Sequence, residues 1–354
     1  MNSRLLITLF AALFFSITTI GAPDARAAEE RSYLLATAST GGTYYPVGVA
    51  IATLTKVKLQ PTHKIGMSAI NSAGSGENIK LLRDNEAQFA ILQGLYGYYA
   101  WNGAGPLEQD GPQKELRSVS MLWQNVEQFV VLADKAKTGT ISDLEALKGE
   151  RMALGKKNSG TIGSNRFLLK NLGIDADSAF ELVYVGYGPR ADALQNGQVA
   201  GMGTPAGSPT GAVTKAFAAI GDKITMLDFT DEQMKKADGG LDLWTRYVIE
   251  AGTYPGQTKD FQTIAQPYFL AVRADIDEEA VYMITKTIYE NLPFLNAIHK
   301  ATKVMALEKA LAGLPMPLHP GAAKFYTEVG LDIPERLMPC LLYTSDAADD
   351  SVLV

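Results

Sequence analysis

The chain is nearly without cysteine: one residue, Cys340, in 354. No disulfide framework can be built from a single thiol. An excess of basic charge is also missing, with 32 Lys and Arg against 38 Asp and Glu and a net charge of -6. Such a balance offers no field to hold a polyanion, which excludes nucleic acid as a partner. Histidine is scarce: His63, His299 and His319 lie far apart, in no spacing such as H-x-x-x-H. A histidine-built metal centre therefore has no support, and the sequence calls for no cofactor. The one long apolar run, residues 5–20, is shorter than the roughly 20 residues that span a bilayer.

That run follows the positive charge of Arg4 and precedes Ala25-Arg26-Ala27, a small-x-small pattern that a signal peptidase cuts. Residues 1–27 are read as a signal peptide cleaved near Ala27, with the mature protein exported to the periplasm. No cysteine stands near the cleavage point to carry a lipid. At the other end, residues 340–354 (CLLYTSDAADDSVLV) break the preceding helix-like pattern and match the translation of a sequencing-adapter read-through. They are expected to be non-native, and Cys340 with them.

Hydrophobic residues make up 47% and charged residues 20%, an ordinary balance for a chain of two domains with real cores. Short apolar runs alternate with helical segments, so an α/β fold is expected. Residues 33–38, 63–70 and 87–93 read as strands, with helices over 46–57 and 76–85, giving one βαβαβ unit. A long extended stretch over 118–132 leads to a second α/β series. There, Ser142 to Glu145 carries a capping-box pattern, residues 151–154, 180–185 and 199–202 read as strands, and 162–171 as a helix closed by Gly173. Gly188-Pro189 and Ser208-Pro209 read as helix starts with proline at the first position. Residues 268–272 form another apolar run, and 277–298 one long helix kinked at Pro293. The final elements find partners only if the first domain is discontinuous. We expect lobe I over 28–125 and 268–339, lobe II over 126–267, and a two-stranded hinge above a cleft.

Four loops at strand-to-helix turns are rich in glycine and hydroxyls: ASTGGTYYP, NSAGSGEN, GKKNSGTIG and GTPAGSPTG. Each offers free backbone N–H groups at a helix start, where an anion is favoured. Two come from each proposed lobe, so they would face one another across the cleft. Other chemistries lack a part. GKKNSGT begins like a phosphate loop, but Thr161 stands where the lysine belongs. Ser75 in AGSGE lacks the preceding glycine of a nucleophile elbow. Gln93 ends an apolar strand at the cleft and either caps the next turn or bonds a ligand. Tyr96, Tyr98, Tyr99 and Trp101 form an aromatic cluster, of which Tyr99 and Trp101 read as packing. Arg166 and Arg190 could pair with a carboxylate, although a solvated helix face is the favoured reading for both.

The residues Ser39-Thr40-Gly41-Gly42-Thr43-Tyr44-Tyr45-Pro46, together with Ser72-Ala73-Gly74-Ser75-Gly76-Glu77-Asn78, Phe89 to Gln93 and Ser159-Gly160-Thr161, carry a resemblance. The chain resembles the TAXI family, the solute receptors of TRAP transporters, from Tyr33 to about His299. The resemblance implies a type II periplasmic-binding-protein fold: two α/β lobes, a two-stranded hinge, and a ligand cleft between them. It implies a receptor, not an enzyme, that captures an amino acid such as glutamate or another carboxylate and hands it to a membrane permease. Carried over by position, the implied site is Ser39, Thr40, Gly42, Thr43, Tyr44, Tyr45, Ser72, Gly74, Ser75, Asn78, Gln93, Ser159, Gly160 and Thr161. Of the two tyrosines, Tyr44 is expected to face the ligand, offering a ring and a hydroxyl. At residues 201–208 this chain has GMGTPAGS where relatives more often carry an aspartate-alanine pair. The alternatives on the same fold are the receptor of an ABC importer and a periplasmic dehydratase or esterase.

Overall fold

A first run of alternating elements builds the larger of two sheets. In the computed structural model, which describes residues 30–339, β1 (Arg31–Ala36), α1 (Tyr44–His63), β2 (Ile65–Ile70), α2 (Ser75–Arg83), β3 (Phe89–Gln93) and α3 (Gly94–Asn102) follow in order. Residues 1–27, read as a signal peptide, and the 340–354 tail lie outside the described residues. β1 pairs in parallel with β2, from Arg31↔Ile65 to Ala36↔Ile70, and with β3 through Leu35↔Phe89 and Ala36↔Ala90. Every residue of β3 is buried, as a central strand covered on both faces requires. Burying Phe89, Ile91 and Leu92 there contributes roughly 2 kcal/mol each.

β4 (Leu116–Val126) and β5 (Phe129–Leu132) come next, so the expected continuous extended stretch is broken at Glu127 and Gln128. The break has a reason: β4 belongs to the larger sheet and β5 to the smaller one, and the two intervening residues carry the chain between them. The smaller sheet has the order β7-β6-β8-β5-β9, from β6 (Arg151–Ala153), β7 (Glu181–Leu182), β8 (Gly201–Gly203) and β9 (Ile224–Met226). Its helices are α4 (Gly160–Leu172), α5 (Ala176–Ala179), α6 (Tyr187–Gln195), α7 (Gly211–Ile220) and α8 (Asp231–Asp238). Gly173 closes α4 in the left-handed conformation, at φ 98°.

β10 (Thr245–Ile249) and the thirteen-residue β11 (Phe261–Arg273) return the chain to the larger sheet, with order β10-β11-β3-β1-β2 and β4 also on β11. β4 and β11 run antiparallel from Leu116↔Arg273 to Val126↔Ala265. Along them the packing changes core: Val126, Phe261 and Ala265 pack with Met202 and Val213, whereas Met121, Phe269 and Leu270 pack with Leu35 and Ile91. These two strands are the covalent link between lobes. α9 (Glu278–Glu290), α10 (Leu292–Ile298) and α11 (Pro320–Glu328) complete the chain's described part.

Several local expectations are corrected. No capping box forms at Ser142. The Asp143 carboxylate instead accepts from the backbone N–H groups of Thr138 at 3.0 Å and Gly139 at 2.8 Å, pinning the preceding loop. α6 starts at Tyr187 with Gly186 as its cap, so Pro189 sits inside the first turn, where a missing N–H is tolerated. Ser208-Pro209 is a cis peptide ahead of α7, which starts at Gly211 with Thr210 as cap. The strand expected over 180–185 is confined to Glu181–Leu182. The single kinked helix over 277–298 is two helices, because Asn291 leaves helical geometry at φ -128° and Pro293 lies in the first turn of α10.

Candidate functional site

Four helix starts meet at one cavity between the lobes. The loops before α1 and α2 bring Ser39, Gly42, Thr43, Tyr44, Gly74 and Ser75 from one side. The starts of α4 and α6 bring Ser159, Gly160, Thr161, Tyr187 and Arg190 from the other. Gln93 and Tyr268, paired across β3 and β11, form part of the floor. Backbone N–H groups and helix dipoles at such starts favour negative charge.

The lobes touch closely here. A hydrogen bond runs from the Glu77 N–H to the Asn158 carbonyl at 3.0 Å, and another from the Ala212 N–H to the Gly41 carbonyl at 3.3 Å. The Thr43 hydroxyl donates to the Gly207 carbonyl at 3.1 Å. Glycine is needed at these approaches: a Cβ on Gly42 would lie 2.5 Å from the Tyr187 ring, and one on Gly76 2.6 Å from the Asn158 carbonyl oxygen. The space left for the centre of a water molecule is about 30 Å³. That is room for two or three waters, or for a carboxylate group. A longer solute needs the lobes further apart.

The predicted residues divide into those that face the cavity and those that hold its walls. Ser39, Gly42, Thr43, Tyr44, Gly74, Ser75, Gln93, Ser159, Gly160 and Thr161 line it. The Tyr44 hydroxyl lies 3.3 Å from Ser75 Oγ, and that oxygen accepts the Gln93 N–H at 3.1 Å. Tyr44 packs edge-on against Tyr268, with ring centroids 4.5 Å apart, and against Trp123 at 6.2 Å. Ser159 caps α4 by accepting the Ile162 N–H at 3.2 Å. Four of the predicted residues are not in the lining. Thr40 is exposed and Tyr45 half-buried, both turned aside by the start of α1. Ser72 lies 2.6 Å from Asn78 Oδ1, and the Asn78 amide donates to the carbonyls of Thr37 at 2.8 Å and Ile91 at 3.0 Å. These two polar side chains tie the ends of β1 and β3 together, which spends their bonding capacity inside the wall.

Arg190 departs most from its reading as a solvated side chain: it is 1% exposed and lines the cavity. Its guanidinium donates to the Gly203 carbonyl and, at 3.1 Å, to the Val185 carbonyl. It also stands 4.6 Å from the centroid of the Tyr187 ring. Nε has no partner, and no carboxylate pairs with this arginine among the described residues. Burial lowers its pKa to about 10, which leaves it cationic at neutral pH. Arg166, by contrast, is partly exposed and pairs with Asp177 at 2.5 Å. Lys156, Tyr187 and Tyr268 were not read from the sequence as site residues. The Tyr187 hydroxyl donates to the Pro205 carbonyl at 2.5 Å and lies 3.0 Å from Thr161 Oγ1. Burial raises the pKa of Tyr44, Tyr187 and Tyr268, so all three remain neutral. Of the fourth glycine-rich loop only Ala206 reaches the lining.

None of the three histidines lines the cavity, and none of its serines is hydrogen-bonded to one. Among the described residues no cluster of three or more His, Cys, Asp or Glu is placed to hold a metal. No described helix is long and apolar enough to cross a membrane.

The family model described as the NMT1-like family matches residues 35–330. Among solved structures, the chain is similar to MatC from Rhodopseudomonas palustris with bound malate. The two are 16% identical over 84% of this chain and 96% of that one, at a TM-score of 0.50. It is also similar to the periplasmic binding protein BugD, 14% identical over 85% of this chain and 95% of that one, at 0.49. The periplasmic aliphatic sulphonate binding protein SsuA from Escherichia coli is 12% identical over 85% of this chain and 84% of that one, at 0.42. At these identities the likeness concerns the fold alone.

Proposed function

Because the chain belongs to the NMT1-like family, we propose that it is a periplasmic solute-binding receptor that closes its two lobes on a small organic anion without transforming it. The observation that carries this reading is Arg190, a buried guanidinium in the wall of the interlobe cavity with an unpartnered Nε and no carboxylate of its own. Burying a charge without a counter-ion is costly, and a bound anion would offset that cost. The helix starts of both lobes add N–H groups toward the same space. Only a solute that touches both lobes favours the closed arrangement, and closing removes the water that would weaken each bond.

The ligand set proposed is the sequence-derived one, with Thr40, Tyr45, Ser72 and Asn78 acting through the walls, and with Arg190 added. The lobe boundaries proposed are 28–125 with 268–339, and 126–267. The resemblance to TAXI receptors favours a TRAP permease as the membrane partner, and an ABC importer is the second reading. Neighbouring genes separate the two: a fused permease supports the first and an ATPase the second. A hydrolase or dehydratase is disfavoured by the lack of any histidine in the cavity lining. Recovery of chemically unchanged solute from a purified complex supports the receptor, and turnover contradicts it.

Calorimetry with a panel of carboxylates and amino acids tests the site. Tyr44→Ala removes a cavity ring and hydroxyl. Thr161→Pro removes a hydroxyl and an N–H in the first turn of α4, where proline is tolerated. Each is expected to weaken binding at least tenfold, about 1.4 kcal/mol. If a ligand is found and neither substitution weakens it, the site lies elsewhere.

A further inference from the structure

The cavity's unsatisfied groups specify more than a negative charge. Its lining holds no aspartate or glutamate. Two nearby carboxylates are engaged elsewhere. Glu77 accepts the Ala73 N–H at 2.5 Å and lines a neighbouring groove with Lys80, Arg83 and Lys156. Glu127 is fully buried behind the hinge and accepts the Trp244 indole N–H at 3.2 Å. Neither belongs to the lining. Against this, the lining contains one buried cationic donor without a partner, Arg190 Nε, and one buried acceptor without a partner, Gln93 Oε1. Gln93 is 2% exposed and stands over Gly160 at the start of α4. The other buried polar groups at hand are partnered: Ser75 Oγ accepts the Gln93 N–H, Ser159 Oγ the Ile162 N–H, and the hydroxyls of Tyr187 and Tyr268 both donate to the Pro205 carbonyl, while half-buried Ser39 and exposed Lys156 stand at the rim.

We infer that the solute is a small hydroxycarboxylate and that α-amino acids are selected against. The inference rests on the proposed receptor function and narrows its substrate. A carboxylate satisfies Arg190, and a single neutral O–H satisfies Gln93 Oε1. An α-ammonium brings three donors and a positive charge to a lining with one buried unpartnered acceptor and no carboxylate. It would lie near a second cation, and the charge would be buried unpaired.

The test is calorimetry on the full chain with matched acids that differ only at the α-substituent: lactate, alanine and propionate; malate, aspartate and succinate; 2-hydroxyglutarate, glutamate and glutarate. In at least one set the hydroxy acid should bind, at least a hundredfold tighter than the amino acid and about tenfold tighter than the unsubstituted acid. Gln93→Leu should weaken the hydroxy acid about tenfold more than it weakens the unsubstituted one. A general loss of wall structure would weaken both alike. An amino acid that binds as tightly as its hydroxy partner overturns the inference and leaves a carboxylate receptor standing. An unsubstituted acid that binds as tightly as the hydroxy acid overturns the role given to Gln93. If no carboxylate in any set binds, the receptor reading falls together with the inference.

Discussion

Glu127 and Arg190 show how much one buried charge decides. Glu127 has one oxygen bonded to Trp244 and the other without a partner, and burial pushes its carboxyl up to about 8 from 4.5. A carboxyl whose folded pKa lies above its unfolded one keeps a proton that the unfolded chain releases. The stability this provides is fully present below about pH 4.5 and is lost progressively as the pH rises to about 8. The loss amounts to a few kcal/mol at most. Glu127→Gln should therefore raise the melting temperature by several degrees at pH 8 and by much less at pH 5. An equal shift at both values would mean that the carboxyl ionises freely. Arg190 shows the limit of reading a residue from sequence. Nothing in GYGPRADAL fixes which face of α6 the arginine takes; its burial follows from packing against the end of β8, whose Gly203 carbonyl it bonds. Tyr44 was legible for the opposite reason. A tyrosine directly after Gly41-Gly42-Thr43, at a helix start, has its position fixed by local geometry.

At the level of elements, the strand-to-helix loops were readable because glycine and hydroxyl residues at a helix start have few other uses. What could not be read was which polar side chains spend themselves inside the wall, as Asn78 does on the carbonyls of Ala36, Thr37 and Ile91. The exact helix starts near Pro189 and Pro209 are not legible, since proline fits anywhere in a first turn or just before it. α2 offers a clean separation of stability from closure. Gly76 is helical, so alanine there should stabilise the isolated helix by roughly 0.5–1 kcal/mol. In the closed arrangement its Cβ would meet the Asn158 carbonyl oxygen at 2.6 Å, which is backbone from the opposite lobe. Gly76→Ala is expected to keep or raise the melting temperature of the solute-free protein and to weaken solute binding at least tenfold. Unchanged affinity would mean that the lobes do not close on this contact.

For the whole molecule, the proposed receptor works as a clamp of two sheets, with β4 leading into the smaller one and pairing with β11 in the larger. The alternation of apolar runs and helices revealed two α/β units, and the late run over 268–272 suggested the return to the first. The depth of closure was not legible, because it depends on contacts such as Gly42 against Tyr187 that join residues far apart in the chain. Small-angle scattering should register a smaller radius of gyration with solute than without, and an unchanged profile would argue against a clamp. The central claim, that an anionic solute is held between the lobes by Arg190, is tested most directly by titrating the carboxylate panel into the wild type and Arg190→Met by calorimetry. Methionine keeps much of the apolar stem, and circular dichroism checks that the fold is retained. The account predicts at least one carboxylate that binds the wild type and binds the folded variant at least a hundredfold more weakly. It is contradicted if the variant binds that carboxylate as tightly as the wild type does, or if no carboxylate binds either protein.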